Sequence, residues 1–166
     1  MEIHIKSSGK SADFLRQGKT FLEAAWRCFG KKTDTGFQIV ENGKFQQLSA
    51  PCVVNAAFAC EMFLKSLLFA LCIHFNPQAE GHNLYLLYKK LPRNIQEIIA
   101  KICWNRKMIE FENLLKEHAK DFVDVRYFIE KDSWTEMSPI TVITIADNLS
   151  RVVEYLLNNT NWEEIQ

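Results

Sequence analysis

Glu61 and Lys65 stand one helical turn apart in Pro51 to Phe75, PCVVNAAFACEMFLKSLLFALCIHF, a run with no other Asp, Glu, Lys or Arg. Arg126 and Glu130 repeat that spacing in Phe122-Val-Asp-Val-Arg126-Tyr127-Phe-Ile-Glu130. Charged groups are rarely buried without a partner, because removing an ion from water costs several kcal/mol. Val54, Phe58, Glu61, Lys65, Leu68 and Cys72 share one helical face, so both charges of the first pair fall in an apolar stripe. Arg126 is the expected counter-ion of Glu61, since a planar guanidinium grips a carboxylate at two points. The cluster Glu61, Lys65, Arg126, Tyr127 and Glu130 then has two readings. One is an internal ion-pair network that fixes helix register; the other is an anion or phosphate site built on Lys65 and Arg126.

A second constellation is a basic strip. Lys89, Lys90, Arg93, Lys101, Arg106 and Lys107 face a single acid, Glu97, with Trp104 among them. Lysines and arginines beside an aromatic ring suit phosphate contacts and base stacking, which makes this strip the candidate nucleic-acid surface. From Glu110 to Glu136 the balance reverses to acidic, and complementary strips suit self-association equally well. A solvated face is the plain alternative for both.

Other patterns are poorer. His118 and Asp121 are one turn apart, but two ligands fall short of the three or four that a zinc or manganese centre needs. No glycine-rich phosphate loop, nucleophile elbow or zinc motif occurs, and no metal or cofactor is expected. The five cysteines, Cys28, Cys52, Cys60, Cys72 and Cys103, show no Cys-x-x-Cys spacing, fall mostly within apolar helical pattern and read as buried reduced thiols.

The elements that must position these residues are mostly helices. Ser11 is expected to cap a first helix carrying Phe14, Leu15, Phe21, Leu22, Ala25, Trp26 and Phe29, which Gly30 stops. Asn42-Gly43 between two β-compatible runs predicts a small hairpin near residues 37–48, within an insertion at 31–50. Pro51 opens the central helix and Asn76-Pro77 closes it. A short helix starts at His82-Asn83-Leu84 and ends before Pro92. Others follow over Asn94 to Ile102 and Lys107 to Lys120, with a further turn or two from Asp121 to Lys131. A last amphipathic helix uses Ile140, Ile143, Ala146, Leu149, Val153, Leu156 and Leu157.

The expected fold is therefore all-α, a single-domain bundle of five or more helices over 1–166. At 166 residues and 48% hydrophobic the chain can bury a sizeable core. Net charge is zero, so no global field announces a nucleic acid. The apolar run does not read as a membrane span: mid-span charges cost roughly 2.5 to 3.5 kcal/mol each, and Leu67 to Phe75 alone is too short. With MEIHIKSSGK showing no secretory signal, the cytoplasm is the expected location.

Three segments in order carry a resemblance: Ala57-Phe-Ala-Cys-Glu61-Met-Phe-Leu-Lys65-Ser-Leu-Leu, Gly81-His82-Asn83-Leu84-Tyr-Leu-Leu87-Tyr-Lys-Lys-Leu91, and Phe122 to Glu130. Together they resemble the HEPN superfamily over about residues 50–157. The resemblance implies a bundle of four or five helices, commonly dimeric, found in RNA-cleaving toxins, phage-defence proteins and partners of small nucleotidyltransferases. In its ribonuclease branch an Arg is followed four to six residues later by a His. Here Arg126 is followed by Tyr127, and the window reads Glu130-Lys131-Asp132. An arginine can steady a phosphorane, but it cannot shuttle protons near neutral pH. The expectation is thus a non-catalytic, dimeric interaction module for RNA, a nucleotide or a partner protein, in a toxin–antitoxin or defence system. The alternative is a divergent metal-independent endoribonuclease using Arg126, Glu61 and His82. For His82, capping or packing at a helix start is the expected role.

Overall fold

A computed structural model describes residues 9–33, 36–41, 44–46, 49–104, 107–117 and 138–158. Arg106, the segment with Arg126, Tyr127 and Glu130, and the helical turns expected from 121 to 131 lie outside the described residues.

Helix α1 (Gly9–Phe29) buries Ser11, Gly18, Leu22 and Ala25, a stripe of mostly small residues. Small side chains let α1 approach the central helix α2 (Ser49–Ala70) closely. At Gly18 a Cβ would lie 2.6 Å from the Phe63 ring, so only glycine fits that crossing. Ser11 is a correction: it does not cap α1 but lies inside it. Its hydroxyl donates to the Ser66 carbonyl at 2.9 Å, and the Ser66 hydroxyl returns a bond to the Ser11 carbonyl at 2.8 Å. These reciprocal bonds satisfy buried hydroxyls where the two helices cross. Gly30 ends α1 as expected, with φ 87° and its N–H on the Trp26 carbonyl.

Between α1 and α2 the chain forms a small antiparallel sheet of three strands, β1 (Lys31–Thr33), β2 (Gly36–Glu41) and β3 (Lys44–Gln46), in the order β1-β2-β3. Glu41 pairs with Lys44 across the predicted Asn42-Gly43 connection. The extra strand is β1, with Lys31 opposite Gln38. Lys31-Lys32-Thr33 carries no apolar alternation; it becomes a strand because β2 offers it a second hydrogen-bonding edge.

Helix α2 is the core, packed by α1 on one side and by α6 (Pro139–Asn158) on another. It is long and apolar enough to cross a membrane by composition, but 72% of its most apolar window is buried by the other helices. Helices α3 (Leu84–Lys89), α4 (Arg93–Trp104) and α5 (Met108–Glu117) close the bundle. Tyr88 of α3 meets Phe111 of α5 edge to face at 5.4 Å, and its hydroxyl donates to the Gln96 carbonyl of α4. Ile95, Ile99, Ile143, Val153 and Leu156 fill the side of the core facing α4 and α6.

Candidate functional site

The central helix stops earlier than the sequence predicts, and that stop makes the site. Pro77 does not terminate it; α2 ends at Ala70. The Cys72 N–H bonds the Phe69 carbonyl (3.2 Å) and the Ile73 N–H bonds the Leu68 carbonyl (2.8 Å), with Cys72 at φ 54°. This pair of bonds around a left-handed residue is the Schellman ending, with cysteine where glycine is usual. The chain then turns back over the end of α2.

Residues 74–83 are held by a knot of polar contacts. The Asn76 side-chain oxygen accepts from the Gln78 and Ala79 N–H groups, while the Glu80 carboxylate accepts from the Asn76 N–H at 2.7 Å. The Lys90 ammonium reaches Glu80 at 3.1 Å and the His74 carbonyl at 3.2 Å. The Asn76 N–H first, and Lys90 second, hold the Glu80 carboxyl below its usual range. Gly81 passes so close to Pro77 that a Cβ would lie 2.3 Å from its carbonyl oxygen. Asn83 caps α3 by accepting the Leu86 N–H at 3.0 Å. Capping is therefore the work of Asn83, and His82, for which the sequence suggested it, is turned to another task.

That task is Glu61. Its side chain is 1% exposed, and it divides its oxygens between two partners: the Lys65 ammonium at 2.6 Å on Oε1 and His82 Nδ1 at 3.2 Å on Oε2. A carboxylate only accepts, so Nδ1 carries the hydrogen. The Lys65 side chain is 10% exposed, whereas that of His82 is 57% exposed. Lys65 also lies over the Phe75 ring, 5.6 Å from its centre. The arrangement is a buried anion with a nearly buried cation on one oxygen and a partly exposed imidazole on the other. It anchors the turn-back to α2 and fixes the orientation of an exposed imidazole.

The structure thus brings together Glu61, Lys65 and His82. On the basic strip, Lys89 pairs with Glu112 at 2.9 Å, Lys90 with Glu80, and Arg93 with Glu97 at 3.2 Å. Lys101 and Lys107 are exposed and make no ion pair among the described residues. Trp104 is half-buried and packs against the core. The strip therefore presents less positive field than its composition suggests, since acids on α4, α5 and the loop answer half of it.

Cys52, Cys60 and Cys103 are buried as expected, Cys28 is half-buried, and Cys72 is a correction to the expectation of buried thiols. Burial pushes Cys60 up to about 12, and burial with the neighbouring Cys28 pushes Cys52 up to about 12. Cys72 alone among the cysteines is exposed. No group of three or more His, Cys, Asp or Glu suited to a metal ion occurs among the described residues.

Sequence reasoning missed Phe75 beneath Lys65 and the knot that presents His82. A signal for the knot was present in Asn76-Pro77, a dipeptide that favours turn initiation. Comparison with family models, with curated proteins and with solved structures finds no match.

Proposed function

We propose that the chain is a non-catalytic, HEPN-like interaction module, a cytoplasmic homodimer that binds RNA within a toxin–antitoxin or phage-defence system. The observation that carries this reading is how Glu61 is used. Both of its oxygens are taken by Lys65 and His82, inside the chain, so the carboxylate serves as an anchor that presents a surface. Cations and an imidazole on that surface suit phosphate. The resemblance in the segments around Glu61, His82 and Arg126 supports the HEPN assignment. Exposed Ile102, Ile109 and Ile140 support a partner-bound state, in which a second copy covers apolar surface. A nucleotide, or a protein such as a nucleotidyltransferase, is the other occupant in keeping with this reading.

A second reading is the metal-independent endoribonuclease, and one observation favours it. A buried carboxylate on Nδ1 of an exposed imidazole is the arrangement that orients a histidine for proton transfer. In that reading His82 moves the proton, Glu61 orients it and Arg126 contacts the scissile phosphate. Purified protein incubated with a mixed RNA pool in chelator separates the two. The module retains RNA on a native gel without shortening it. Cleavage that follows the protein peak and disappears in His82→Gln or Arg126→Ala overturns the non-catalytic reading.

A further inference from the structure

Side-chain pairs along α1 and α2 fix one antiparallel register for the two helices. The Ser11 and Ser66 hydroxyls meet at 3.2 Å, Gly18 lies against Phe63 and Met62, and Phe21 stacks on Phe58 with centroids 5.1 Å apart. Continued toward the small sheet, the same register sets Ala25 against Ala56, both fully buried, and then Cys28 against Cys52. Spacing along α1 agrees. Phe14, Phe21 and Cys28 recur every seven residues and so share a stripe of the helix, and the first two each stack on a ring of α2. Cys52 belongs to the core and Cys28 packs against that core from a half-buried position. Burial first, and the neighbouring Cys28 second, push Cys52 up to about 12, as befits thiols on facing positions.

We infer that Cys28 and Cys52 are a redox pair that closes to a disulfide when the protein meets a hydroperoxide. Cys28 is the thiol that solvent reaches, so it reacts first. It takes one oxygen from the peroxide, becomes a sulfenic acid and releases one water or alcohol. The Cys52 sulfur then attacks the Cys28 sulfur and expels the hydroxyl, which leaves as water with the Cys52 proton. Two thiols have lost two electrons and two protons, and the peroxide has been reduced by the same amount. Burial keeps both thiols protonated near neutral pH, so the pair stays reduced until oxidant persists. The bond joins the last turn of α1 to the first turn of α2, the two points between which all three strands are strung. Ser11 and Ser66 tie the opposite end of the helix pair, so the disulfide staples the end that carries the sheet.

The test exposes reduced full-length protein, freed of reductant, to hydrogen peroxide near neutral pH and then alkylates it in urea. Non-reducing peptide mapping is expected to find the Cys28 and Cys52 peptides joined, with an intact mass lower by two hydrogens. The joined form should unfold at about 1.5 M higher urea than the reduced form, because closing the loop from Cys28 to Cys52 restricts the unfolded chain. Dithiothreitol should reverse the shift. Cys28→Ser, at a half-buried position, should abolish both the link and the shift, whereas Cys72→Ser, at the exposed thiol, should keep both. Cys28 carried to sulfinic acid while Cys52 is still alkylated overturns the pair, and so does a link through any other cysteine. Both thiols left free after prolonged exposure overturn it too. A Cys28–Cys52 link that leaves the midpoint unchanged or lower shows that the fold does not hold the two sulfurs together, and overturns the staple.

Discussion

Replacing Lys65 with methionine keeps most of the side chain's length and apolar stem and deletes only the ammonium that sits 2.6 Å from Glu61. Breaking a buried ion pair from one side costs about 3 to 5 kcal/mol, because the remaining charge keeps its desolvation penalty and loses its compensation. Here the low end applies: His82 still meets Oε2, and its exposure lets water screen part of the charge. The expected loss is therefore about 3 kcal/mol. With a urea dependence of about 2 kcal/mol per molar, the unfolding midpoint falls by about 1.5 M. Adding Glu61→Gln should restore stability to within about 1 kcal/mol of wild type. The amide is neutral, needs no ammonium, and its carbonyl still accepts from His82. Urea unfolding followed by far-UV circular dichroism measures all three proteins. A Lys65→Met loss below about 1 kcal/mol would refute the stranded-charge argument. A double variant as unstable as the single one would show instead that Lys65 matters for packing over Phe75.

Gly81→Ala places a Cβ against the Pro77 carbonyl, so the turn must shift and carry His82 away from Glu61; the stability coupling between His82→Ala and Glu61→Gln, measured as a double-mutant cycle by urea unfolding, should vanish in this background. Cys72→Gly removes a side chain from the left-handed region, where a non-glycine residue costs roughly 1 to 2 kcal/mol, offset by about 0.5 to 1 kcal/mol of extra chain entropy. The variant should unfold at slightly higher urea, and a lower midpoint would refute the assignment of strain. Stability should also fall in alkali: Cys52 and Cys60 hold their protons up to about 12 in the fold against 9.0 unfolded, so their contribution is full below pH 9 and is lost as pH rises towards 12. Urea midpoints at pH 8 and pH 10.5 check this, and a smaller drop is expected for Cys60→Ala, measured against its own pH 8 value.

Much of the bundle was legible in the chain because helical periodicity and local breakers act over a few residues. Gly30 ends α1, Asn42-Gly43 lies between paired strands, and the apolar positions from Ile140 to Leu157 fall in one helix, each for a reason contained in its own neighbourhood. The pairing of Glu61 with Lys65 was likewise readable, being a matter of one helical turn. What needed the tertiary structure was everything that depends on segments distant in sequence. Ser11 looked like a cap because the preference for serine at helix starts is local, but its partner is Ser66, fifty-five residues away. Cys72 ends α2 through local bonds, its own N–H to Phe69 and that of Ile73 to Leu68, but cysteine does not advertise the left-handed conformation they require. His82 meets Glu61 across twenty-one residues. Asn76, Glu80, Gly81 and Lys90 fold the connection onto α2, and only that closure puts an imidazole on the second oxygen of a carboxylate buried in the core. A sequence states which groups are charged, but the desolvation that forces a buried charge to find a partner exists only once the helices have packed around it.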